Sequence, residues 1–337
     1  MKKIILSIIL FVFFFNGVAA RAENPVKIRV AHFSTVTHAP ALVARAKGHF
    51  EERFKDKAAI EWNIFNSGPE AIEALFAGAI DILYVGPNPA ANGFVRSEGK
   101  ALRVIAGVAG GGSAFVVREN SEIKQFEDIR GHRVATPQTG NSQDVALRHL
   151  LKEKNILPRT QGGNVEIFNI ASGDQITVLA KGDVDAIWTV EPWVSRLENE
   201  AGGKVLFDEK ELWPDGKYAT TILVVRKKFM EEHPDLVKKW VRGHIEIIDW
   251  MNQNPAEAKQ FFNEELKRET GKAIPTNYLD RSFERIIFTS DPMESLVLES
   301  AKHAGEIGFL GRKEVSLSDL YDLSFLGSVQ NSSGEHS

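Results

Sequence analysis

The sequence contains no cysteine. That excludes a disulfide framework and any cysteine-ligated metal. It also removes the lipidated cysteine that would tether a secreted protein just after its signal. Beyond residue 22 there is no apolar run long enough to span a bilayer, which takes about 20 residues. A basic excess is missing too: 41 Lys and Arg stand against 45 Asp and Glu, a formal net charge of −4. A nucleic-acid or membrane-surface binder would show the opposite balance. The marks of common enzymes are absent: no Gly-x-x-x-x-Gly-Lys-Ser/Thr, no Gly-x-Ser-x-Gly and no His-Glu-x-x-His, and the nine His show no metal-ligand spacing. An acid/base pair such as His38 with Glu191 is the remaining route to catalysis. The expectation is a protein that is not an enzyme and carries neither metal nor cofactor.

What is present begins with Met1-Lys2-Lys3, an apolar run Ile4 to Phe15 broken only by Ser7, and small residues through Ala22. This is the layout of a secretory signal peptide, with cleavage after Ala20 or Ala22; the other reading is an uncleaved anchor. The expected location is the periplasm. Without Lys2 and Lys3 the net charge of −4 becomes −6. Removing residues 1–22 from the 337 leaves about 315, a length that usually forms two domains.

Strand-like and helix-like segments alternate. Val26–Phe33, Ala59–Phe65, Ile80–Val85 and Leu102–Val108 read as strands, separated by helices at Pro40–Phe54, Pro69–Phe76 and Pro89–Ser97. After Gly110-Gly111-Gly112 the alternation resumes with strands at Ala114–Arg118, Arg133–Thr136, Val165–Ile170 and Val184–Thr189, and helices at Gln143–Lys154 and Gln175–Lys181. Val205–Phe207 and Thr220–Val225 are further strands. Helices are expected at Pro234–Asn252, Pro255–Arg268, Tyr278–Phe288 and Pro292–Ile307. Such alternation implies an α/β protein whose mainly parallel sheets are flanked by helices. The glycine-rich break near 110–112 and a second near 215–217 divide it into a discontinuous lobe, 23–112 plus 218–326, and a second lobe, 113–217. The polar residues 327–337 are expected to be a disordered tail. Two crossings join the lobes, and the cleft between them is the natural ligand site.

In open parallel sheets, ligands bind beyond the carboxyl ends of the strands. Several strand-to-helix junctions carry helix-start chemistry: Ser67-Gly68-Pro69-Glu70, Gly86-Pro87-Asn88-Pro89 with Asn88 as the cap, Thr136 through Gln138 to Ser142, Ser172-Gly173-Asp174-Gln175, and Thr189 through Glu191 to Trp193. Each helix start presents unpaired N–H groups and a partial positive charge. Several aimed into one cleft make an anion site without any Lys or Arg, and none of these loops contains either.

These residues carry a resemblance. The segments "NSGPEAIEALFAGAIDILYVGPNPA" (66–90), "ATPQTGNSQDVALRHLL" (135–151) and "KGDVDAIWTVEPW" (181–193), with His38-Ala39-Pro40-Ala41 through Gly48-His49-Phe50 before them, resemble the nitrate/taurine/aliphatic-sulfonate family of ABC-transporter substrate-binding proteins. The resemblance implies a two-lobed periplasmic-binding fold of type II character with two crossover strands. It implies a small-molecule ligand and, as partners, a permease and its ATPase, with the protein itself a monomer outside the membrane. It places the ligand against Ser34, Thr35, His38, Gly68, Pro87, Asn88, Gly112 and Ser113 on one side, and Gln138, Thr139, Asn141, Ser142, Glu191 and Trp193 on the other. Thr35, Ser113, Thr139 and Ser142 then offer hydroxyl donors, and His38 a donor to an oxyanion. Gly68 and Gly112 let backbone approach closely. Trp188 and Trp193 wall a carbon chain or stack on a ring, and Glu191 accepts from an amine. An organosulfonate is the first expectation, with nitrate, bicarbonate or a vitamin precursor following, and a periplasmic ligand sensor as the other functional class. Relatives that take a thiamine precursor carry a cysteine-rich stretch that is missing here, which counts against a pyrimidine.

Overall fold

The computed structural model describes residues 25–55, 57–310 and 315–334; the signal segment expected at 1–22 lies outside them. The chain begins with β1 (Val26–His32), α1 (Ala39–Ala46), α2 (His49–Phe54), β2 (Ala58–Ile64), α3 (Gly68–Phe76), β3 (Ile82–Val85), α4 (Pro87–Arg96) and β4 (Leu102–Gly111). It then crosses into β5 (Ser113–Arg118), β6 (Arg133–Thr136), α5 (Ser142–Glu153), β7 (Glu166–Asn169), α6 (Ser172–Lys181), β8 (Ala186–Val190), α7 (Trp193–Glu200) and β9 (Gly203–Asp208). A second crossing returns it through β10 (Ala219–Arg226), α8 (Lys227–Glu232), α9 (Pro234–Gln253), α10 (Pro255–Thr270), α11 (Thr276–Glu284), β11 (Ile286–Phe288), α12 (Glu294–Glu306) and α13 (Ser324–Gly334).

Two sheets result, one per lobe, with strand orders β11-β4-β10-β3-β1-β2 and β7-β6-β8-β5-β9. β1 pairs in parallel with β2 and β3, and β6 with β7 and β8. The strands that border the crossings run antiparallel: β10 against β3 and β4, β5 against β8 and β9. They enter their sheets from the opposite lobe, so their direction is reversed and each sheet is mixed. Helices cover both faces, which is why β3, β5 and β10 read as nearly unbroken apolar runs rather than alternating ones.

The repeated Gly-x-x-Asp segments at 78–81 and 182–185 have a structural explanation. Asp81 is fully buried and accepts from Arg29 N at 3.0 Å and Arg29 Nε at 2.7 Å, while Arg226 Nη2 donates at 2.6 Å. Arg29 also reaches the carbonyl of Gly78. The second lobe repeats the arrangement: Asp185 accepts from Arg133 N and Nε, Arg118 Nη2 donates to it, and Arg133 reaches the carbonyl of Gly182. In each lobe one carboxylate, just before a strand, ties the parallel neighbour of that strand (Arg29 of β1, Arg133 of β6) to the last residue of its antiparallel neighbour (Arg226 of β10, Arg118 of β5), and a buried charge is held by paired donors.

The helical C-terminal part returns to the first lobe. Trp240 of α9 stacks on Phe50 of α2, with ring centroids 3.6 Å apart and an interplanar angle of 4°, and both are fully buried. The structure departs from the expected elements at four places. The helix expected over Pro40–Phe54 breaks at Lys47-Gly48, because Gly48 takes a left-handed φ of 61°. The helix expected over Tyr278–Phe288 ends at Glu284, and Ile286–Phe288 joins β4 as an edge strand. The tail expected from residue 327 is helical through Gly334, since Leu326 and Val329 bury against the first lobe's core. The fourth concerns the helix starts. Asn88 lies inside α4, whose N-cap is Gly86. Ser67 flanks α3 without capping it through its side chain, and the N-cap of α6 is Ala171.

Candidate functional site

A cleft of about 540 Å³ lies between the lobes. The loops beyond β1, β2, β6 and β8 contribute to it, as do the starts of α3, α4, α5, α6 and α7. Its walls are apolar at Phe33, Ile64, Phe65, Val190 and Trp193, and polar at Ser34, Thr35, Thr37, Asn66, Ser67, Gln138, Asn141, Ser142 and Ser172. Among the described residues no Lys or Arg lines it, and Glu269 is the only acidic residue that does. Helix starts therefore supply most of the positive potential.

Three polar atoms on these walls are buried and lack any hydrogen-bond partner among the described residues: Ser142 Oγ, Trp193 Nε1 and Gln138 Oε1. Such groups cost about 1–3 kcal/mol each when nothing satisfies them. The side-chain amide of Gln138 presents an acceptor as placed, and a half-turn exchanges it for a donor. Ser142 is the first residue of α5, whose N-cap Asn141 accepts from Asp144 N at 2.8 Å. Across the cleft stands Gly86; a Cβ there would lie 2.9 Å from Ser142 Oγ. The two lobes thus meet closely at this point.

The titratable groups are largely neutralised. His38 is buried and accepts from Phe33 N at Nδ1, 3.3 Å away. Burial, aided by the nearby His32, pushes its pKa well below the ordinary value. It stands as a neutral imidazole with its proton on Nε2, a donor without charge. Glu269 is nearly enclosed. Burial pushes its carboxyl up, but hydrogen bonds from His32 and Ser34 and the charge of Arg45 outweigh that and hold it below the usual range. The contacts are His32 Nε2 to Oε1 at 2.7 Å, Ser34 Oγ to Oε2 at 2.6 Å and Arg45 Nη1 to Oε1 at 2.9 Å. Among the described residues the cleft thus offers no uncompensated charge.

Of the residues expected at the ligand, the cleft brings together Ser34, Thr35, His38, Gly68, Gln138, Asn141, Ser142 and Trp193. Gly68 sits where any Cβ would lie 2.4 Å from Pro89, so its helix start and that of α4 approach only because it is glycine. Seven others lie elsewhere. Pro87 begins α4 behind the wall, and Asn88 is buried, donating to Ser300 Oγ at 2.9 Å. Thr139 is turned outward, donating to Asn169 Oδ1. Gly112 and Ser113 form the first crossing: Gly112 has a φ of 79°, and Ser113 N donates to Tyr218 Oη at 2.9 Å.

Trp188 is not a ligand wall. It is fully buried in the second lobe, donating from Nε1 to Glu209 Oε2 at 2.8 Å and to Ser113 Oγ at 3.2 Å. Burial pushes the Glu209 carboxyl up to about 7. Glu191 is likewise fully buried and bonded within the protein, to Ser195, Ser282 and Arg285. It is not free to receive an amine. Residues that the sequence reading missed are Phe33, Thr37, Asn66, Ser67, Ser172, Thr220 and Glu269. Ser67 and Ser172 lay in loops already singled out, whereas Glu269, at the end of α10, carried no sequence signal.

Comparison with known proteins bears on this geometry. Over 216 residues the chain is 31% identical to the taurine-binding periplasmic protein of Escherichia coli (strain K12), an alignment covering 64% of this chain and 64% of that protein. The alkanesulfonate-binding protein SsuA of Xanthomonas axonopodis pv. citri, solved with MOPS bound, superposes with a TM-score of 0.73 at 19% identity, over 89% of this chain and 99% of that one. The desulfurization enzyme DSZB superposes with a TM-score of 0.63 at 16% identity, over 91% and 99%. The fold is thus the two-lobed one of periplasmic binding proteins, and it hosts at least one enzyme as well. No helix among the described residues is long and apolar enough to cross a membrane. Residues 21–263 match the family model, so the chain belongs to the NMT1-like family.

Proposed function

We propose that this protein is the periplasmic solute-binding component of an ABC importer and that it captures an organosulfonate. The observation that carries the reading is the set of buried polar atoms Ser142 Oγ, Trp193 Nε1 and Gln138 Oε1, which among the described residues have no partner, in a cleft fed by five helix starts and lined by no described cation. Unpaired donors such as the Ser142 hydroxyl and the Trp193 N–H are what a weakly basic oxyanion requires; its charge is met by dipoles rather than by an ion pair. The cleft volume of about 540 Å³ and the walls Phe33, Ile64, Phe65 and Trp193 leave room for a carbon chain beside the anion, which nitrate and bicarbonate lack. No free carboxylate faces the cleft among the described residues, so an alkanesulfonate should bind more tightly than taurine. With both titratable wall residues already neutralised, an acid/base role is unsupported, and the protein acts by binding alone. Ligand contacts to both lobes stabilise closure, and the permease with its ATPase recognises the closed form.

The test is a thermal-shift and calorimetric titration of the chain from Glu23 onward, unfolded and refolded to remove any co-purified ligand. The panel holds hexanesulfonate, taurine, nitrate and bicarbonate. Hexanesulfonate at 100 times its Kd should add about 2.7 kcal/mol and raise Tm by several degrees. A shift with nitrate and none with either sulfonate would remove the ligand class from this reading.

A further inference from the structure

Glu191 reaches both lobes and the crossing between them. Its backbone N donates to Gly112 O at 2.8 Å, on the first crossing, and its carbonyl accepts from Val36 N at 3.2 Å, on the loop after β1. Its carboxylate accepts from Ser195 N at 3.1 Å and from Ser195 Oγ at 3.0 Å in its own lobe. From the other lobe it accepts from Ser282 Oγ at 2.9 Å and Arg285 Nη1 at 2.6 Å. Glu191, Ser195 and Ser282 are fully buried. Arg285 extends the link to Glu198 of α7 through Nη2 at 3.1 Å. It lies on the residue before β11, and its carbonyl packs on Gly111, where a Cβ would come within 2.5 Å. The guanidinium is thus fixed to the crossing on one side and to α7 on the other.

We infer that the Glu191–Arg285 pair, with Ser195 and Ser282, is a buried tie between the lobes and the pivot about which they close, positioning the loop that carries Trp193 into the cleft. The two covalent crossings alone permit twisting as well as hinge closure, because each is a single passage of backbone: Gly112 between β4 and β5, and residues 209–218, with two short 3-10 turns, between β9 and β10. A buried, multiply bonded point beside them restrains the twist, whereas further lobe-to-lobe contacts such as His149 Nε2 with Glu306 Oε2 at 3.2 Å and Lys152 Nζ to Glu306 O at 2.7 Å are solvent-exposed. Closure then turns about an axis through Gly112 and Glu191. Trp193 follows Glu191 by two residues and lines the cleft. A ligand that engages Trp193 therefore pulls on a segment whose origin is fixed to both lobes. Glu191 and Arg285 are positioning residues that do not touch the ligand.

The inference rests on the reading of the cleft as a site that closes on its ligand, and the experiment separates the two. Because the chain has no cysteine, Glu70→Cys on α3 and Asp174→Cys on α6 would supply its only thiols. Spin labels there report the distance across the cleft without any ligand. The distribution is measured in this labelled background for the otherwise unaltered protein and for Glu191→Gln, Arg285→Met and Arg285→Lys. Glu191→Gln and Arg285→Met should broaden it, and both should weaken hexanesulfonate binding by about tenfold. Arg285→Lys, which keeps the charge, should fall between Arg285→Met and the unaltered protein. If Glu191→Gln fails to fold, the two Arg285 variants decide, since that side chain is partly exposed. Unchanged distance distributions in the folded variants would overturn the pivot, even if Tm or affinity fell. Hexanesulfonate failing to bind the unaltered protein would instead count against the ligand, leaving the ligand-free distances to judge the pivot.

Discussion

Replacing Ser142 by alanine should move affinity and stability in opposite directions. In the ligand-free protein the Ser142 hydroxyl is buried and has no partner among the described residues. An unsatisfied buried hydroxyl costs about 1–3 kcal/mol; its position on an open cleft lets water recover part of that. Removing it should leave the folded protein as stable as before, or more stable by up to about 1 kcal/mol. In the complex the same hydroxyl, on the first residue of α5, donates to a charged oxygen. Such bonds contribute about 1.5–3 kcal/mol, so Ser142→Ala should raise Kd about 10- to 150-fold. Ser142→Thr keeps the hydroxyl and should recover part of the loss. The assay pairs calorimetric titration with hexanesulfonate against a urea-unfolding midpoint measured without ligand. A Kd within twofold of the unaltered protein would show that the oxyanion sits elsewhere. A stability loss above 1 kcal/mol would show that the hydroxyl has an internal partner and that its readiness for ligand was misread.

The two tryptophans that the sequence treated alike should separate. Trp193→Phe keeps the ring and loses the unpartnered N–H, so Kd should rise about tenfold with little change in Tm; Trp188→Phe should lower Tm, because Glu209 loses its donor, and leave Kd nearly unchanged. Equal effects of the two on Kd would contradict the assignment. Glu209 should also give a pH-dependent signature. Its carboxyl is pushed up to about 7 from 4.5 by burial, so the native state binds the extra proton between those values. Its favourable contribution is complete below 4.5 and is lost as pH rises through 7. The span of about 2.5 units corresponds to about 3 kcal/mol. Glu209→Gln should therefore raise Tm at pH 8 by several degrees, with the gap closing near pH 4.5; a gap that does not change with pH would refute the burial argument.

The β-α alternation, the two crossings and the cleft were legible in the sequence because covered strands are short apolar runs punctuated by Gly and Pro. What the pattern did not disclose was direction. Trp188 sits on a strand with both faces covered, so period-two reasoning gives no inward or outward side, and a tryptophan near the strand end passes equally for wall or core. Glu191 looked available because its partner Arg285 is 94 residues away. Ser67 and Ser172 read as caps, but a capping sequence does not say whether the hydroxyl turns back to its helix. Ile286–Phe288 continued a helical pattern and was claimed by β4, a tertiary pairing that local propensity does not foresee.

The position of β10 has a consequence for how the chain acquires its shape. β10 lies hydrogen-bonded between β3 and β4 in the middle of the first sheet. Residues 26–111, although made first, lack that central strand until residue 226 has been synthesised. The second sheet is built from one uninterrupted stretch, 113–208, and can close by itself. The connectivity runs against the usual order, in which the N-terminal unit folds first: the first sheet stays incomplete while every strand of the second is already present.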